Sequence, residues 1–117
     1  MTTPTTQKQI SDEQRQRSIE IAQTILQQMG GRRFRLMTGA HDFLATDSGL
    51  RFRLPGNARD GINLITITLT PADDYTMTFT RHERGAIDAA MVAEFDGVYC
   101  DQLADIFTTT TGLYTRL

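Results

Sequence analysis

The stretch Ile65-Thr-Ile-Thr-Leu-Thr-Pro-Ala-Asp-Asp-Tyr-Thr-Met-Thr-Phe-Thr80 decides the fold. Apolar residues and threonines alternate without a break on both sides of Pro71-Ala-Asp-Asp74. A period of two sends Ile65, Ile67 and Leu69 to one face of a strand and Thr66, Thr68 and Thr70 to the other. Tyr75, Met77 and Phe79 repeat the arrangement opposite Thr76, Thr78 and Thr80. Proline presets the first turn dihedral, and the aspartates can bond nearby backbone amides. The stretch therefore predicts an antiparallel hairpin with one dry face and one threonine face.

Working outward, Arg33-Phe-Arg-Leu36 and Leu50-Arg-Phe-Arg-Leu54 alternate arginine with apolar residues. Read as strands, they place Phe34, Leu36, Leu50, Phe52 and Leu54 on the core side, with Arg33, Arg35, Arg51 and Arg53 together on the opposite face. Met37 to Phe43 reads as beginning in a loop, Asp47-Ser-Gly49 as a tight turn, and residues 57 to 61 as a second loop. Residues 87 to 95 fit two periods. Ile87, Met91 and Phe95 suit a helix, whereas Ile87, Ala89, Met91, Ala93 and Phe95 suit a strand, which is the reading preferred here.

Two helices frame these strands. Ser11-Asp-Glu-Gln14 has the spacing of a capping box, and Ile19, Ala22, Ile25, Leu26 and Met29 form a stripe that Gly30-Gly31 ends. A helix over about 12–29 follows, preceded by a polar, loosely attached segment over residues 1–10. At the other end Asp96 caps a helix with the stripe Tyr99, Leu103, Ile106 and Phe107. The threonine run 108–111 weakens it, Gly112 closes it, and Leu113-Tyr114 can return to the core. The expected fold is α+β: an antiparallel meander of about five strands, its apolar face covered by an N-terminal and a C-terminal helix, in a single domain over 11–117.

Composition narrows the possibilities. A chain of 117 residues buries enough surface to fold without covalent staples, and the lone Cys100 has no intrachain partner. No apolar stretch approaches a membrane span, so no membrane association and a cytoplasmic location are expected. Charge is uneven. Residues 32–84 hold eight arginines against six acids, and residues 85–117 hold Arg116 against Asp88, Glu94, Asp96, Asp101 and Asp105.

Met37-Thr-Gly-Ala40 with Phe43, Leu50-Arg-Phe-Arg-Leu-Pro55, Gly61-Ile-Asn63, Glu94-Phe-Asp-Gly-Val-Tyr99, Gln102-Leu103 and Thr111-Gly-Leu-Tyr114 form an ordered series. In these motifs the chain resembles a widespread family of small proteins encoded by bacteriophages, prophages and other mobile elements. The resemblance spans about residues 22–117 and implies no particular activity. It favours the strand over 87–95.

Candidate chemistry is sparse. Arg33, Arg35, Arg51 and Arg53 beside a threonine face suit phosphate groups, although a solvated sheet face is the plainer reading. Aromatic residues fall on the apolar side, away from any base-stacking platform. His41-Asp42 and His82-Glu83 could form an acid–base pair if folding united them; exposed polar positions are the plainer reading. One cysteine and two histidines lack metal-ligand spacing. Cys100 near a helix start could be a reactive thiol or a packed small side chain. These readings predict no cofactor and no enzyme. They favour a non-enzymatic binder of a host protein, such as an inhibitor of a defence system, with Asp101 and Asp105 as further contact candidates. The alternative is a nucleic-acid or nucleotide binder using the arginine face. A homodimer through the sheet edge or the N-terminal helix is also expected.

Overall fold

A computed structural model describes residues 3–56, 58–83 and 89–115, with side chains from residue 12 onward. Helix α1 (Thr3–Met29) leads into a short helix α2 (Gly31–Thr38). Five strands follow: β1 (His41–Ala45), β2 (Gly49–Arg53), β3 (Leu64–Leu69), β4 (Tyr75–Arg81) and β5 (Ala90–Val98). Helix α3 (Leu103–Thr111) follows β5. The strands form one antiparallel sheet in sequential order, the expected α+β meander. Asn57 and Ile87, which belonged to the predicted loop and the final strand, lie outside the described residues.

The threonine alternation sets the faces as read. Ile65, Ile67, Met77 and Phe79 are fully buried, and Tyr75 nearly so, while Thr66, Thr68, Thr76, Thr78 and Thr80 are half-buried on the other side. β3 and β4 pair Leu69 with Tyr75 through Leu64 with Thr80. At the turn, the Thr70 amide donates to the Asp74 carbonyl at 2.8 Å, and its hydroxyl donates to the Asp74 carboxylate. The same hydroxyl accepts from the Ala72 amide at 3.2 Å. Thr70 thus takes the amide-binding role expected of an aspartate. Asn63 locks the open end of the hairpin, donating to the His82 carbonyl and accepting from the His82 amide, both at 2.8 Å.

The first strand differs from the expectation. Arg33-Phe-Arg-Leu36 is helical, within α2, and His41–Ala45 occupies the edge of the sheet instead. Four alternating residues fit either period, and here Phe34 and Thr38, four apart, form the buried face. Leu36, predicted to face the core, is 74% exposed. In β1, Phe43 and Ala45 turn toward the core side while Leu44 pairs with Arg51 and is half exposed.

Helix α1 begins at Thr3, so Ser11 is an interior position rather than the N-cap. Its stripe packs as read: Ala22, Ile25 and Met29 are buried, and Ile19 and Leu26 half-buried. Every side chain from Asp12 to Arg17 is exposed; contact begins at Ser18, whose hydroxyl donates to the Asp47 carbonyl at 2.9 Å in the β1–β2 turn.

The C-terminal helix also starts later than expected. β5 continues through Asp96 to Val98, so Asp96 is a strand residue and not a cap. The helical start is marked by Tyr99 and Gln102, whose side-chain oxygen accepts the Tyr99 amide at 2.9 Å. Tyr99 is exposed rather than part of the stripe, while Leu103 and Phe107 are fully buried. The threonine run does not end the helix early. Thr111 is buried, its hydroxyl donating to the Phe107 carbonyl at 2.7 Å and accepting the Leu113 amide at 3.2 Å. Leu113 does return toward the core, whereas Tyr114 is 69% exposed.

The end of α2 uses the same device. Thr38 is buried, donates to the Phe34 carbonyl at 2.8 Å and accepts the Ala40 amide at 3.1 Å. In both helices glycine follows in the left-handed conformation, Gly39 at φ 74° and Gly112 at φ 78°. Phe34-Arg-Leu-Met-Thr-Gly39 and Phe107-Thr-Thr-Thr-Thr-Gly112 are therefore one repeated helix ending. In each, the buried phenylalanine anchors the helix, the threonine satisfies one carbonyl and one amide, and the glycine reverses the chain.

Two consequences are measurable. Thr111→Val keeps the shape but leaves the Leu113 amide without its acceptor, and should cost on the order of 1–3 kcal/mol in chemical denaturation. Gly49→Ala should destabilise more strongly, because an added Cβ would lie 2.0 Å from the Ile67 carbonyl oxygen in the neighbouring strand. A Gly49→Ala protein with an unchanged melting temperature would contradict this strand approach.

Candidate functional site

Placing the predicted arginines on the fold divides them into two sets. Arg51 is exposed and Arg53 half-buried on β2, where the register gives them the open, threonine side of the sheet. Arg33 and Arg35 stand on α2, so the four do not share a face. The Arg35 guanidinium lies 5.2 Å from the centre of the Phe43 ring, joining α2 to β1 through a cation–π contact. Arg33 is exposed on the same helix.

A groove of about 880 Å3 lies between α1 and α2. Arg32, Arg35 and Leu36 line it from α2, with Glu20, Gln23 and Leu26 across from them on α1. The sharp reversal between the helices creates it: Gly30 and Gly31 both have positive φ, 126° and 60°, so α2 folds back beside α1. An apolar hollow near the same side of α1 is lined by Ile19, Ala22, Leu26, Phe43 and Leu50. The mouth of the larger groove combines two guanidinium groups with a leucine that has no cover. Strand periodicity assigned Leu36 to the core and so concealed the groove that it lines with Arg32. The spacing of Phe34 and Thr38, with glycine at each end of the segment, was the signal for a helix.

The remaining candidates stay apart. His41 sits in β1 and His82 just beyond β4, separated by three strand spacings, about 14 Å. His41 pairs only locally, 3.9 Å from Asp42, while the His82 backbone is held by Asn63. Cys100 is exposed, not packed as a small apolar side chain. Asp101 and Asp105 are exposed at the start of the C-terminal helical region, four residues apart. Among the described residues no group of three or more histidine, cysteine, aspartate or glutamate side chains could hold a metal ion, and no helix is long and apolar enough to cross a membrane.

On the open face, the hydroxyls of Thr76 and Thr78 donate to Asp96 at 3.0 Å and to Glu94 at 3.2 Å. The acids of β5 therefore share a surface with the arginines of β2. The open face therefore carries charges of both signs, with Arg51 and Arg53 as the members of the predicted arginine set that stand on it. Comparison with protein-family models, with curated proteins and with solved structures returns no match.

Tyr75 lines a smaller groove under α1 with Arg17, Glu20, Ile21, Thr24 and Leu69. Burial raises its phenol above the ordinary value; Gln28 beside it lowers it in part, while Cys100 and Asp73 add to the rise. The folded state thus favours the neutral phenol. Its contribution to stability is complete below the unfolded value of about 10 and is lost as pH rises through the folded value. Tyr75→Phe should flatten the alkaline fall in melting temperature between about pH 9 and about pH 11. An identical fall in both proteins would remove Tyr75 from that role.

Proposed function

We propose that this protein is a non-enzymatic adaptor of a bacteriophage or other mobile element that binds a host protein, such as a component of a defence system, through the α1–α2 groove. The observation that carries this reading is Leu36, 74% exposed beside Arg32 and Arg35 at the mouth of the α1–α2 groove. A leucine anchor next to guanidinium forks suits an apolar residue flanked by carboxylates on a partner protein. The resemblance to small mobile-element proteins supports the biological setting. The separation of the histidines, and the absence of a metal-ligand cluster among the described residues, support binding over catalysis.

Nucleic-acid binding has less support. The arginines of β2 share their face with Glu94 and Asp96, and the phenylalanines cluster on the other side.

Leu36→Asp combined with Arg32→Gln tests the groove. Both residues are exposed, so the change in stability should stay within about 0.5 kcal/mol. Affinity for a protein captured from nuclease-treated host lysate should fall at least about tenfold. Arg35 is left intact because its contact with Phe43 also serves the fold. Equal capture by the folded variant and the parent would overturn the assignment of the groove.

A further inference from the structure

The open face of the sheet has an ordered charge pattern. Register places Arg51, Thr66, Thr78 and Glu94 in one row across β2, β3, β4 and β5. The neighbouring row toward the β3–β4 turn runs from Gly49 through Thr68 and Thr76 to Asp96, and the row on the other side begins at Arg53 and ends at Met91. Positive charge therefore stands on β2 and negative charge on β5, about 14 Å away, with only threonines and Leu64 between. None of these charges has an ionic partner within the chain among the described residues, whose one ion pair is His41 with Asp42.

From this arrangement we propose that the open face is an interface with a second copy of the same chain. The partner is identified by its charge order. A polyanion that met Arg51 and Arg53 would also meet Glu94 and Asp96, and a polycation would face the opposite conflict. A surface that presents its charges in reverse order satisfies both ends. A twofold axis lying in the interface, parallel to the strands and midway between β3 and β4, produces that order from the chain itself. It sets β2 of one copy over β5 of the other and β3 over β4, so Arg51 faces Glu94 along the same row, threonines meet threonines, and Met91 lies under Arg53.

Threonines at the centre are short enough for two sheets to pack at about 10 Å, a separation that arginine side chains from the margin can bridge. β1 has no counterpart in this pairing. It overhangs the partner's β5 edge, with half-exposed Leu44 in the row of Arg51. Edge-to-edge pairing is disfavoured by both edge strands. β1 carries an extra residue at Asp42, φ 55°, and β5 is irregular at Val92 and again at Asp96-Gly97.

The test is mass measurement by sedimentation in the analytical ultracentrifuge, on the parent chain and on the chain with its charges reversed in two ways. The parent should show about twice the 13.1 kDa chain mass at low salt, and its dissociation constant should rise at least about tenfold between about 50 mM and about 500 mM sodium chloride. Arg51→Glu with Arg53→Glu makes the face wholly acidic; Glu94→Lys with Asp96→Lys makes it wholly basic. Each variant alone should be monomeric, and an equal mixture should regain a 1:1 dimer, which a merely misfolded protein would not do. The parent's salt response stands without either variant. A monomeric parent at low salt, a dimer indifferent to salt, or folded variants that each still dimerise alone would overturn the proposal. Retention of host-protein capture by the charge-reversed chains would separate this face from the α1–α2 groove.

Discussion

Packing of three phenylalanine rings joins α2, β2 and α3 at the centre of the core. Phe34 of α2 meets Phe52 of β2 and Phe107 of α3, each at 5.3 Å between ring centres and 80° between planes. Phe52 and Phe107 close the triangle at 6.2 Å, and Phe43 of β1 extends it at 5.4 Å from Phe52. Such contacts contribute roughly 0.5–1.5 kcal/mol each beyond the area they bury. Their larger effect here is geometric. α2 has eight residues, too few to be a stable helix alone, and the ring of Phe34 gives it a fixed seat. With α2 seated, Leu36 must face solvent, and Arg35 is brought over Phe43. The basic groove is a consequence of that single packing decision.

The sheet separates two tasks by its faces. Its inner face takes nearly all the aromatic and aliphatic residues and is covered by helices. Its outer face is polar, with threonine hydroxyls committed to Glu94 and Asp96 and arginines left at the opposite side. An antiparallel sheet tolerates this because one side can remain solvated without leaving backbone groups unpaired. The bulges on both outer strands restrict growth of the sheet at its edges and leave the open face as the broad surface available for contact. The α1–α2 groove and the open face are thus different products of one core.

Several features were legible from residue order alone. Strict alternation over Ile65–Thr70 and Tyr75–Thr80 could satisfy no helix, so the hairpin and its faces follow from period two. The stripe from Ile19 to Met29 is long enough to choose period 3.6, and the paired glycines end it. The final strand over Ala90–Val98 was ambiguous in its apolar spacing, and pairing with β4 resolves it. Short segments carried less information. Arg33–Leu36 matched both periods, and His41–Ala45 was obscured by the turn-forming residues before it.

What the sequence by itself determined was therefore the α+β class, the central hairpin, the inner face of the sheet and the stripe of α1, since each depends on local periodicity sustained over several repeats. Tertiary structure alone decided that Phe34 turns a four-residue alternation into helix, that Asp96 belongs to a strand, and that Leu36 faces solvent. It also decided which charges meet: Arg33 and Arg35 left the sheet, while Glu94 and Asp96 joined Arg51 and Arg53 on it. Charges distant in sequence acquire a common surface only through strand register, and register is set by burial of the apolar face rather than by the charged residues themselves.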